Sequence, residues 1–275
     1  MNLLDKYLYT KDNVRLFCRM DIPYSASKIV VIVHGYEEHC GRYLDFAKRL
    51  VKENIGVCLL DHRGHGKSLG TRGDIEDFFL FVEDLKVVIE FLKKYDKKLI
   101  TFGHSMGGLI TFIYGLRYKD DVCSQIFSSP ALGVPIGCKY MPEVFYELID
   151  RLFAEVKFHK MGEELAIRNK YFLEEFKNDQ ESVQFVTMRF IYQFIKIGVS
   201  YAIENAKNYK VKSLFLLGEE DHVIPIDRNK EILEQIPFKE KKVITYPKCM
   251  HDLLHDLEDA IERVTLDIIG FIRET

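Results

Sequence analysis

The chain has 275 residues, 47% of them hydrophobic, and a formal net charge of −3 with acidic and basic residues interspersed. That length and apolar content suit one large α/β domain, or one domain carrying an insertion. With no basic stripe, the charge pattern excludes a nucleic-acid partner.

Taken in order, residues 5–22 alternate loosely (Val14, Leu16, Cys18, Met20) and predict an edge hairpin. Residues 28–33 are a β-branched run, the pattern of a strand covered on both faces, and end in His34-Gly35-Tyr36. A helix is predicted over 43–53, with Phe46, Ala47, Leu50 and Val51 on one face, and a buried strand over 55–60. A longer helical pattern over 79–95 precedes a strand at 99–102, which runs into Gly103-His104-Ser105-Met106-Gly107-Gly108 and renewed helical spacing. Another strand is predicted at 122–127. Strands alternating with helices of this length predict a mostly parallel, doubly wound α/β sheet.

The rhythm breaks over 134–200, where only helical patterns are found and no strand. One apolar stripe runs through Val144, Phe145, Leu148, Ile149, Leu152, Phe153 and Val156. A second block, 182–202, is apolar round most of its circumference and includes Phe185, Phe190, Phe194 and Ile197. The simplest expectation is a helical cap of residues 134–200 inserted into a core made of 1–133 and 201–275. Core helices of a second domain are the alternative. Strands resume at 213–217 and 242–246, and a helix closes the chain at 257–272.

Six scattered cysteines (18, 40, 58, 123, 138, 249), with no Cys-x-x-Cys pair, match a reducing compartment. Residues 1–6 hold no apolar core for a signal peptide, and the longest apolar run, 29–33, is far below the ~20 residues of a membrane helix. A soluble, cytoplasmic protein is expected.

A serine at the apex of a strand, sharp turn and helix is the nucleophile-elbow arrangement, and it needs small residues such as Gly103 and Gly107 two positions either side. A serine hydroxyl attacks poorly until a base takes its proton, so its partners decide the reading. In open α/β sheets functional groups gather at the carboxyl ends of strands. One resumed strand ends in Gly218-Glu219-Glu220-Asp221, the next in Tyr246-Pro247-Lys248-Cys249-Met250-His251-Asp252. His251 comes first after its strand, ahead of His255, and is the expected general base. Glu219, Glu220, Asp221 and Asp252 all compete for the acid. Two backbone amides, of Met106 and Tyr36, are expected to stabilise the oxyanion.

Gly66-Lys67-Ser68 is not a phosphate loop, because Asp61 stands where that motif needs glycine. His34, His39, His62 and His65 lack metal-ligand spacing, and no metal is expected. His104 reads as a packing residue.

The chain resembles the monoacylglycerol lipase and lysophospholipase group of the α/β-hydrolase superfamily, the serine aminopeptidase-like hydrolases, from about residue 8 to the end. The resemblance rests on His34-Gly35-Tyr36-Glu37-Glu38-His39-Cys40-Gly41-Arg42-Tyr43, where the group usually has H-G-x-x-E-H-S-G-R-Y. It rests also on Asp61-His62-Arg63-Gly64-His65-Gly66-Lys67-Ser68, Arg72-Gly73 with Phe78, the elbow, Ser129-Pro130-Ala131-Leu132, Gly218 to Asp221, and His251-Asp252-Leu253-Leu254. It implies an α/β-hydrolase fold, Asp221 as the acid, and an acyl-enzyme that releases fatty acid from a single-chain lipid, without a cofactor. Transient contact with a membrane surface is compatible with that. Phe190, Phe194 and Ile197 suit an acyl chain and equally suit plain core packing. Cys40 replaces a usual serine, and Tyr36 is bulky where a small residue is common, which narrows the pocket mouth or shifts head-group preference. A peptidase, thioesterase, short-chain esterase or acyltransferase would use the same acyl-enzyme. A non-enzymatic binder of an apolar ligand would be free to lose the base or acid.

Overall fold

The structure is a computed structural model that describes residues 2–133, 153–159 and 163–275. Ten strands occur among these residues: β1 (Leu4–Tyr9), β2 (Arg15–Asp21), β3 (Lys28–Val33), β4 (Gly56–Leu60), β5 (Lys98–His104), β6 (Ser124–Ser128), β7 (Lys157–His159), β8 (Phe185–Thr187), β9 (Ser213–Gly218) and β10 (Lys241–Tyr246). Eight form one sheet in the order β1-β2-β4-β3-β5-β6-β9-β10. From β4 to β10 all pairings are parallel, and β2 runs antiparallel to β4 and to the edge strand β1.

The β-branched run of β3 explains its central place. Ile29, Val31 and Val33 face one helical layer while Val30 and Ile32 face the other, as a period of two requires. The first layer contains α2 (Phe79–Lys93) and α3 (Met106–Arg117), with Phe81, Leu85, Leu109 and Phe112 in the core. The second contains α1 (Leu44–Lys52) and the helix Glu258–Arg273, through Phe46, Leu50, Val264 and Ile268. Each such side chain, fully buried, contributes roughly 1.5–3 kcal/mol.

Register then brings the strand ends to one rim. Val33 lies opposite Gly103, His104 opposite Ser128, Ser128 opposite Leu216, and Gly218 opposite Tyr246. The residues that follow these positions therefore meet along a single edge.

The inserted region departs from the all-helical expectation. β7 and β8 pair as an antiparallel ribbon, remote in sequence and so invisible to local periodicity. The apolar block begun at 182 becomes helical only at Met188, because Thr187 caps that helix: its hydroxyl accepts a bond of 3.0 Å from the Phe190 amide. Residues Gln193–Val199 then wind as a π-helix. Val144, Phe145, Leu148, Ile149 and Leu152 lie outside the described residues. A helix not anticipated, Ile226–Glu234, carries only Ile226, Ile232 and Leu233 as apolar residues, too few for a clear stripe.

Cys18, Cys40, Cys58, Cys123 and Cys249 are free thiols; Cys138 lies outside the described residues. Among the described residues, no helix is long and apolar enough to cross a membrane.

Candidate active site

β5 ends at His104 and α3 starts at Met106, so Ser105 alone makes the turn. Its backbone sits at φ 50°, ψ −117°, a conformation that side-chain-bearing residues rarely adopt. Close packing on both sides imposes it. A Cβ on Gly103 would run into the Gly107 carbonyl and the Thr111 hydroxyl, and one on Gly107 into the carbonyls of Val33 and His34. The Ser105 amide donates to the Ser128 carbonyl at 3.0 Å, and the Ser105 carbonyl accepts from Leu109 and Ala131. The hydroxyl is thereby fixed at the rim.

Three predicted residues from distant parts of the chain meet there. His251 Nε2 lies 2.8 Å from the Ser105 hydroxyl oxygen, and His251 Nδ1 lies 2.7 Å from Asp221 Oδ2. An ionised carboxylate only accepts, so Nδ1–H donates to Asp221 and Nε2 is left to accept from the serine. The other Asp221 oxygen accepts from the amides of Val223 and Ile224 at 2.9 and 2.8 Å. Burial works against charge on His251, but the Asp221 carboxylate outweighs it and raises the imidazole above its ordinary value.

Asp252 and the second histidine are engaged elsewhere. Glu219 and Glu220 are exposed. Both His255 Nδ1 and the Arg42 guanidinium bond Asp252, at 2.8 and 3.2 Å. Arg42 also donates to Glu38 Oε1 at 3.1 Å, and Tyr43 and the Gly35 amide donate to Glu38 Oε2 at 2.7 and 2.8 Å. Glu38, His104 and Asp252 have the proximity of a metal-ligand set. Their carboxylates already accept from this group of donors, so the cluster reads as a hydrogen-bonded brace under the loop after β3.

That loop passes close over the serine: a Cβ on Gly35 would stand 3.3 Å from Ser105 Cβ. Next in the chain comes Tyr36. The amide of Met106, first in α3, has no carbonyl four residues earlier in its helix to bond. Both predicted oxyanion donors thus belong to segments adjoining Ser105. His34, His62 and His65 pack behind this loop with ring centroids 4.2 to 6.0 Å apart. Neither His62 nor His65 carries charge at neutral pH; burial pushes them down to about 3 and about 4.

A cavity of about 100 Å³ opens on Ser105 and His251, lined by Tyr36, Ile167, Phe176 and Val223 among others. It is smaller than the ~300–1,000 Å³ of sites that enclose a whole drug-sized ligand. Phe190, Phe194 and Ile197 do not line it. Phe190 and Phe194 stand behind the Tyr36 ring, at 5.6 and 6.1 Å between centroids, and Ile197 packs at the margin of the same core. A larger groove of about 510 Å³, between α1 and the helix Lys170–Asn178, does not include Ser105.

Sequence reasoning did not anticipate how the inserted region grips the core. The Val183 amide donates to the Glu37 carbonyl at 2.9 Å. His39 Nε2 meets Asp179 at 2.7 Å, Arg189 pairs with Asp74, and Arg72 donates to the carbonyls of Gly66 and Glu181 at 2.8 Å.

Sheet order, elbow and insertion together define an α/β-hydrolase fold. The family model described as serine aminopeptidase, S33, matches residues 24–258, and the chain belongs to that family of hydrolases. A monoacylglycerol lipase of Mycolicibacterium smegmatis is 27% identical over 236 residues, 85% of this chain and 84% of that protein. The monoglyceride lipase of Rattus norvegicus is 26% identical over 267 residues, 95% of this chain and 88% of that protein. Among solved structures, the monoacylglycerol lipase of Paleococcus ferrophilus superposes with a TM-score of 0.82 over 100% of both chains at 24% identity. A monoglyceride lipase variant from Saccharomyces cerevisiae, in complex with a substrate analogue, has a TM-score of 0.87 over 100% of this chain and 95% of that one, at 17% identity.

Proposed function

We propose that the protein hydrolyses the ester of a single-chain lipid, a monoacylglycerol or a lysophospholipid, through an acyl-enzyme on Ser105. The observation that carries this is the His251 ring bridging the Ser105 hydroxyl at 2.8 Å and the Asp221 carboxylate at 2.7 Å. In this reading His251 takes the serine proton as the hydroxyl attacks the ester carbonyl, then gives it to the departing alcohol. Asp221 holds the tautomer and stabilises the imidazolium. The amides of Tyr36 and Met106 receive the oxyanion. Water activated by His251 then releases the fatty acid. No cofactor takes part.

The lipid assignment is supported by the monoacylglycerol and monoglyceride lipases among the relatives. A 100 Å³ cavity has room for the reacting ester, with the chain extending past it. We assign residues 134–200 to a cap over the site, on a core of 1–133 and 201–275. Phe190 and Phe194 back the Tyr36 ring, which lines the cavity, and so shape its wall from behind rather than touch the acyl chain. The free thiols among the described residues fit a reducing cytoplasm.

Hydrolysis of a panel of monoacylglycerols, lysophospholipids, short-chain esters, acyl thioesters and aminoacyl amides tests the assignment. Single-chain lipid esters are expected to give the highest kcat/KM. A preference for aminoacyl amides would move the protein to the peptidase reading that the family description carries, and thioester preference to a thioesterase.

A further inference from the structure

The inserted region holds the loop that carries His251 by two contacts, one on each side of the histidine. On one side, the Asp252 amide donates to the Ala166 carbonyl at 3.0 Å. On the other, the Met250 amide donates to Asp256 Oδ2 at 3.2 Å. Asp256 is itself held from the insertion: Arg168 Nε and Nη2 reach Asp256 Oδ1 at 3.1 and 2.5 Å, and the Asn169 side-chain amide donates to the Asp256 carbonyl at 3.1 Å. The Asp256 side chain is 1% exposed and that of Arg168 29%. A buried carboxylate that loses its cation keeps only backbone donors and is driven to move toward water.

We propose that Arg168 is a positioning residue for the general base: through Asp256 and the Met250 amide it fixes the backbone from which His251 reaches Ser105. This rests on the reading of His251 as base. Arg168 touches neither Ser105 nor His251, so it acts only through the loop. Three residues of the stretch 166–169, Ala166, Arg168 and Asn169, thereby form a clasp that makes part of the insertion a component of the catalytic geometry.

The test uses the full chain. Arg168→Gln is expected to lower kcat by about 10- to 100-fold with KM within about twofold, since a misplacement of about 1 Å has that effect on a reacting group. Labelling of Ser105 by a fluorophosphonate should slow by the same factor, a readout that lost global stability alone would not move in a folded variant. Arg168→Lys, which keeps the charge without the fork, should recover part of the rate. Asp256→Asn should give the same deficit, and the double variant no more than either alone. Arg168→Gln that folds and keeps kcat and labelling within about twofold of the parent overturns the proposal. If that variant does not fold, Asp256→Asn decides on the same criterion. Failure of both to fold also overturns it, since the contact would then serve the fold. Ser105→Ala and His251→Ala run alongside: if these stay active, the catalytic reading itself falls; if they are inactive while Arg168→Gln is normal, only the clasp falls.

Discussion

The sheet rim carries Ser105, the inserted region lines the cavity beside it, and the two are built by different means. At the rim, backbone does nearly everything: parallel register, the turn at Ser105, and glycines at 103 and 107 that leave no room for a side chain. In the insertion, side-chain pairs add to a few backbone bonds, through Arg168 to Asp256, His39 to Asp179 and Arg189 to Asp74. The first construction is rigid because it is packed so closely that even one added Cβ at either glycine would overlap neighbouring backbone. The second is adjustable, since each contact can be removed singly and some depend on protonation. The contrast teaches that a site of this kind can keep Ser105 fixed while the loop carrying His251 remains open to adjustment.

The largest expected effect is chemical. Asp221→Asn should reduce kcat by roughly 10⁴-fold with the fold intact, because the imidazole loses the partner that sets its tautomer. Steady-state hydrolysis with circular dichroism checks this, and a loss below about tenfold would transfer the acid's role to another residue.

Next comes the rigid side. Gly107→Ala forces a Cβ against the carbonyls of Val33 and His34 and should cost about 3 kcal/mol in urea unfolding. A cost under about 0.5 kcal/mol would mean that the elbow yields, and the contrast with the insertion would fail.

Acid sharpens the comparison. Burial holds His34, His62 and His65 below the ordinary imidazole value. The unfolded chain binds protons that the folded chain refuses, so stability is lost as pH falls from about 6.5 toward the folded values near 4 and 3. Unfolding midpoints between about pH 7 and about pH 4 should therefore drop, and less so in His62→Asn. A flat midpoint over that range would contradict the neutral assignment.

The smallest effect lies in the adjustable part. Burial opposes charge on His39, but Asp179 outweighs it and raises the imidazole. A raised value means stability that is full below about pH 6.5 and lost as pH rises through the folded value. Asp179→Asn should cost about 1 kcal/mol near pH 6 and little near pH 9, read by chemical unfolding at both. Equal costs at both would show that no charge on His39 is involved.

The same division explains what the sequence disclosed. Strands such as 28–33 are set by local pattern, the elbow by glycines a fixed distance from a serine, and both can be read from a few neighbouring letters. The order of Ser105, Asp221 and His251 along the chain could be read for a similar reason, since each follows a strand, buried in β5 and β9 and at the sheet edge in β10. The acid was separable from Glu219 and Glu220 only by resemblance, because all three follow the same strand. What stayed hidden was non-local. β7 finds its partner in β8, Arg168 meets Asp256, and Val183 meets Glu37 through chain closure that no periodicity records. Phe190 and Phe194 were legible as apolar but not as the backing of Tyr36, which depends on how the π-helical stretch seats them.

The most direct measurement compares the parent chain with Ser105→Ala in two assays, monoacylglycerol hydrolysis and covalent capture of a fluorophosphonate. The parent should turn over the ester and take up one probe per chain at Ser105. The variant should keep its circular dichroism and unfolding midpoint, lose hydrolysis by about 10⁴-fold or more, and take up no probe. Hydrolysis retained in the variant, or probe found on another residue, would contradict the account.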